Sequence, residues 1–168
     1  DPRFAPGWWL AIGWALALAA LAGTAIAFSA ASRVRRGDTH PAAASRVVRR
    51  GWQIFGIAFL FRLQMYVTSL FYRWRSILKV DVLNVMGPSI AAAAWVWGLG
   101  RTPAAKAAAL LLPAVLLPFA TPFVRGLDSL AALPDPIEAY IRPAGDFANF
   151  TLFPWAAFVF AGAAIGVI

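Results

Sequence analysis

There is no cysteine in this 168-residue chain, which excludes a disulfide framework, a thiolate metal site and a cysteine nucleophile. Histidine occurs once, at His40 beside Pro41, in an arginine-rich stretch expected in water, with no second ligand or base nearby. No glycine-rich phosphate loop, metal-ligand cluster or nucleophile triad appears, so no metal is expected. Charge is scarce as well: 13% of residues are charged, where about 25% is usual for soluble domains. Hydrophobic residues reach 61% and fall in long uncharged blocks, the pattern of an integral membrane protein. The net charge of +8 sits on arginines clustered between those blocks. Such placement sets orientation and meets anionic lipid, so the lipid bilayer is the expected partner and nucleic acid is not.

Five blocks are long enough to span, at 8–32, 52–71, 82–100, 107–124 and 147–168. About 20 helical residues cross a hydrocarbon core of roughly 30 Å. A lipid-facing barrel would need alternating polar residues, which are missing. The expectation is one all-α domain over 1–168, a polytopic transmembrane helix bundle of about five spans. The chain opens on Asp1 and stops at Ile168 within an apolar run, so we expect a fragment of a larger bundle. Trp8, Trp9 and Trp14 suit an interfacial belt. Pro113, Pro118 and Pro122 predict a kink or break in the fourth span. Gly162 and Gly166 form a GxxxG packing face. Asn149-Phe150-Thr151 fits a glycosylation sequon, a pattern common by chance.

Basic residues set the predicted topology. Arg33, Arg35, Arg36, Arg46, Arg49 and Arg50 lie between the first two spans, with Arg101 and Lys106 on the same side by parity. Arg3, Arg73, Arg75, Lys79, Arg125 and Arg142 lie opposite. The denser side, the loop 33–51, is expected in the cytoplasm. YRWRSILK then falls outside against the rule, and its Trp/Arg mixture suits an interfacial segment with snorkelling side chains. The long stretch RGLDSLAALPDPIEAYIRPAGD is expected as an outer loop with short helices, able to cap a site or merely to connect.

FLFRLQMY, residues 59–66, holds a guanidinium within an apolar run, where lipid makes charge costly. Arg62 either locks the bundle through a carboxylate or carbonyls, or lines a cavity for a polar or anionic ligand. Gln64, about 200° away around the helix, faces elsewhere. In KVDVLNVMG, Asp81 and Asn84 share a face. They either orient a sugar hydroxyl or amine, or cap a helix. Asp81 is also the nearest candidate counter-ion for Arg62, provided a tilted or broken helix brings their depths together.

RRGWQIFGIAFLFRLQ, ILKVDVLNVMGPSI and FTLFPWAAFVFAGAAIG, with AGTAIAFSAASRVRRGD before them, resemble bacterial relatives of heparan-α-glucosaminide N-acetyltransferase. The resemblance covers roughly residues 20–100 and 147–166. It implies a multi-pass acyltransferase of the bacterial inner membrane, passing an acetyl group from acetyl-CoA to a sugar or amino-sugar acceptor. The family's catalytic histidine lies on an earlier helix and His40 does not match it, so no catalytic residue is assigned and the fragment alone is expected to be inactive. Asn84 matches a polar amide of the family; Asp81 has no firm counterpart. Arg62, Gln64, Asp81 and Asn84 would bind substrate, and Arg49 and Arg50 would attract the acyl-CoA phosphates. The missing helices of the same protein are implied partners, with homo-oligomers left open. The alternative is a transporter or channel segment in which Arg62 lines a polar pathway; no inverted repeat is visible to support it.

Overall fold

The computed structural model describes residues 6–70, 74–148 and 150–168. Arg3, Phe71, Arg73 and Asn149, and the side chains of Trp8 and Trp9, lie outside the described residues, so the sequon and part of the tryptophan belt are not addressed. Among the described residues the chain is all-α. Its helices are α1 (Pro6–Arg35), α2 (His40–Thr68), α3 (Val82–Leu99), α4 (Pro103–Arg125), the single turn α5 (Asp135–Glu138) and α6 (Leu152–Ile165). Among the described residues three stretches are long and apolar enough to cross a membrane: Leu16–Arg35 of α1, α3 and α4.

The expected boundaries shift in three places. The basic stretch 33–51 is not a loop, because α1 runs to Arg35 and α2 begins at His40. Thr39 caps α2 by accepting from the Ala42 N–H at 3.4 Å, and Pro41 sits in the first turn, where its missing N–H breaks no helical bond. Arg46, Arg49 and Arg50 therefore ride on the same helix as Arg62. Three prolines do not break α4, which runs as one helix from Pro103 to Arg125. The last span is shorter than expected: Phe153 leaves the helical region (φ −98°, ψ 118°), and α6 ends at Ile165.

Small residues let backbones meet. A Cβ on Gly162 would lie 2.0 Å from the Ala20 carbonyl oxygen, and one on Gly166 2.9 Å from that of Thr24, so the GxxxG face is the α1–α6 contact. Gly51 and Gly87 join α2 to α3 in the same way; a Cβ on Gly51 would stand 2.7 Å from the Gly87 carbonyl oxygen. The main core is built largely from alanines of α1, α2, α3 and α6, with Ile26, Ile90, Trp97, Leu110 and Phe160 among them. Large apolar side chains such as Leu21, Phe28, Trp95, Leu112, Phe119 and Phe123 point outward, while Arg62, Asn84, Ser89 and Lys106 are buried. Small and polar inside, large and apolar outside is the reverse of a water-soluble domain.

After α2 the chain doubles back through a 3-10 turn at Trp74–Leu78 to start α3. The Val80 N–H donates to the Phe147 carbonyl at 2.7 Å, tying this return to the segment before α6. A second, smaller core of Val80, Val85, Ala139, Ala144 and Phe147 fills the space beneath.

Candidate functional site

The reversal after α2 answers how a buried arginine meets its counter-ion. Because α2 extends past Arg62 to Thr68 and the chain returns before α3, Asp81 arrives at the level of Arg62 without any break in a helix. The Arg62 guanidinium donates to Asp81 Oδ2 at 2.8 Å. The arginine side chain is 11% exposed and the aspartate 41%, so the pair is anchored inside and open on its acidic side. A cation in an apolar run thus faces inward onto a partner, as its desolvation demands.

Asp81 has a second task. Its Oδ1 accepts from the Val82 N–H at 2.8 Å, and its own N–H donates to Asn84 Oδ1 at 3.3 Å, forming a capping box. The capping and ligand readings of Asp81 and Asn84 are therefore not exclusive, for the same side chains that start α3 carry the network onward. The Asn84 amide, 1% exposed, donates to the Tyr140 hydroxyl at 3.5 Å. Burial pushes the Tyr140 phenol above its ordinary value, and the Asn84 bond opposes that shift. The Tyr140 ring leans on Phe55 of α2 with centroids 6.1 Å apart, and its carbonyl accepts from the Leu152 N–H at 2.7 Å.

Arg62, Asp81 and Asn84 are thus brought together with Tyr140, which sequence reasoning did not single out. Tyr140 lies 56 residues from Asn84, in the loop read as either a cap or a connector. Nothing in the local PIEAYI stretch marks it, since its partner is distant in sequence. Gln64 is exposed and takes no part. The Tyr140 loop is held by Arg142, which pairs with the buried Glu138 and donates to the carbonyls of Arg125 and Leu127, each at 3.1 Å. Arg125 in turn donates to Thr151 Oγ1 at 3.3 Å and the Phe153 carbonyl at 3.0 Å, fastening α4 to α6.

At the other end of α3 the chemistry changes. Lys106 is buried, with Nζ 3.3 Å from the Trp97 ring centroid and 3.1 Å from His40 Nδ1. His40, expected in water, is half-buried instead, because it opens α2 against α3 and α4. Arg35, Arg36, Arg46 and Arg101 stand exposed at this same end, while Arg49 and Arg50, also exposed, adjoin Gly51, which packs against Gly87 and Ala91 midway along α3. Arg49 and Arg50 are thereby available to an anion but remote along α2 from Arg62.

Among the described residues no group of acidic, histidine or cysteine side chains could hold a metal ion. Compared with family models, curated proteins and solved structures, the chain gives no match.

Proposed function

We propose that this chain is part of an integral membrane acyltransferase of the bacterial inner membrane. It moves an acetyl group from acetyl-CoA to a sugar or amino-sugar acceptor, as the resemblance of its strings to the heparan-α-glucosaminide N-acetyltransferase relatives implies. The observation that carries the reading is the Arg62–Asp81–Asn84–Tyr140 network. Its first three members come from two of the strings that bear the resemblance.

Three apolar helices and an apolar exterior support placement in a bilayer as a polytopic bundle, with the segment 33–51 on the cytoplasmic side. The exposed arginines at that end, continued along α2 by Arg49 and Arg50, form a surface for the phosphates of the acyl donor. At the opposite end the open side of Asp81 is the natural acceptor of a hydrogen bond from an amine or hydroxyl. Arg62 orients that carboxylate, and Asn84 fixes its backbone. In the reaction the thioester C–S bond breaks, a C–N or C–O bond to the acceptor forms, and the acceptor's proton passes through a base to the departing CoA sulfur, which leaves as the thiol; the resemblance implies a histidine as that base, and His40 does not match it.

The test is transfer of labelled acetyl from acetyl-CoA by the full-length protein in proteoliposomes. Asp81→Asn keeps the cap and a neutral acceptor for Arg62 but removes the charge, so it should lower transfer at least tenfold in protein that still folds, with a smaller loss of thermal stability than Asp81→Ala. Transfer unchanged in Asp81→Asn and Asn84→Ala, with folding intact, would remove these residues from the site. No acetyl transfer by the full-length wild type would remove the enzyme reading.

A further inference from the structure

One flank of α2 is turned away from the bundle and does not suit lipid. Gly51 packs on Gly87 and Ala91, and Gly87 packs on Phe55, so Gln53 stands level with the middle of α3. In a bilayer spanned by α3 that is the driest depth. The Gln53 side chain is exposed and has no hydrogen-bond partner among the described residues. It is too short to snorkel to the headgroups as an arginine does. Facing acyl chains, its amide would leave two donors and an acceptor unsatisfied. A polar partner at that depth is required. The exposed face of α4 makes the contrast, for Leu112, Val115, Leu116, Phe119 and Phe123 ask nothing of their surroundings but lipid.

The neighbours of Gln53 identify the partner. Gln53, Gly56, Leu60 and Leu63 recur at alternating spacings of three and four, the seam of two helices packed side by side. All four are exposed, Leu60 at 62% and Leu63 at 46%. A Cβ on Gly56 would meet nothing within 4 Å, so nothing within the bundle requires that residue to be small, unlike Gly51 and Gly87. Arg62 lies on the other side of α2 with Asp81, which leaves the seam from Gln53 to Leu63 without charge. We propose that this seam docks the same seam of a second copy of the chain, as a parallel pair about a two-fold axis along the membrane normal. Copies inserted the same way place each Gln53 opposite its counterpart at one depth, and a primary amide, donor and acceptor together, is its own complement. Gly56 lets the two backbones approach one turn further on. Arg49, the next seam position toward the cytoplasmic end, repels its counterpart, so the helices part there and the arginines stay open to phosphates. The inference rests on the membrane placement above and not on acyl transfer.

The chain has no cysteine, so a single substitution supplies its only thiol. Gly56→Cys and Leu60→Cys, each in the full chain in liposomes at low protein density, should give disulfide-linked dimers on mild oxidation. The yield should exceed that of Leu112→Cys and Val115→Cys on the exposed face of α4 by about fivefold or more. Energy transfer between donor- and acceptor-labelled copies, followed as lipid is added, measures the association without any cross-link. Gln53→Leu should weaken it about tenfold and Gln53→Asn much less, with thermal unfolding in detergent unchanged for both. Gly56→Ile should weaken it as well, by holding the backbones apart. Cross-linking through α2 no greater than through α4, or association unaltered by Gln53→Leu, overturns the proposal. A chain that stays monomeric at every density overturns it too, and gives the amide to a different segment. A chain that does not enter liposomes overturns the membrane placement and this pair with it, whereas loss of acetyl transfer alone leaves the pair standing.

Discussion

The two ends of α3 handle buried charge in opposite ways. At its start Arg62 meets a carboxylate that is itself part of a capping box, and the bonds run on through Asn84 to Tyr140. Near its end Lys106 rests on the Trp97 face and on His40 Nδ1, with no ion pair among the described residues. The first arrangement satisfies a cation with a negative charge that remains 41% exposed and therefore available to a ligand. The second satisfies it with a ring quadrupole and a lone pair, a closed contact that joins three helices. One end leaves a carboxylate partly open to its surroundings, and the other holds α2, α3 and α4 together.

Four substitutions would break or sharpen that contrast. Asp81→Ala strips Arg62 of its partner and α3 of its cap. It should cost about 3 kcal/mol, the low end for a broken buried pair because Asp81 is partly exposed, read as a lowered thermal transition in detergent. Lys106→Met keeps most of the buried stem while removing the cation–π contact, and should cost about 1–2 kcal/mol by the same measurement. Tyr140→Phe removes one long hydrogen bond, for about 0.5 kcal/mol at neutral pH. It also removes a pH dependence. The folded Tyr140 value is raised, so its contribution is complete below the ordinary phenol value of 10.0 and is lost as pH rises through the higher folded value. Unfolding measured between neutrality and strongly alkaline pH should therefore fall more steeply for the wild type than for Tyr140→Phe. His40→Gln retains an acceptor for Lys106 and should shift stability by no more than about 0.5 kcal/mol; a larger loss would show the imidazole ring itself to be needed against Trp97.

How much of this was legible follows from the same contrast. A guanidinium in FLFRLQ announces that a counter-charge must exist, and Asp81 was the nearest carboxylate along the chain, so their pairing could be read before any coordinates. What the sequence hid was the return of the chain between α2 and α3, which brings Asp81 level with Arg62 without a broken helix. Tyr140 was hidden because its partner is distant and a tyrosine in an apolar loop signals nothing by itself. The Lys106–His40 contact was hidden for another reason: Pro41 beside a run of arginines reads as loop, although proline is well suited to a first helical turn. The α4 prolines predicted a kink or a break, and of the two the break does not occur, since one helix runs from Pro103 to Arg125. The GxxxG face of α6 was read correctly because backbone proximity needs only the absence of side chains.

Arg142 has a mechanical consequence. It ties the carbonyls of Arg125, the last residue of α4, and of Leu127 just beyond it to Glu138, two residues before Tyr140. With 23 residues, α4 is about 34 Å long at 1.5 Å per residue, and its apolar flank is largely bare. In a bilayer thinner than its own length such a rod leans, and this rivet would pass the lean to the tyrosine hydroxyl that meets Asn84. Membrane thickness would then be a control on the geometry of the polar network, acting through a single arginine.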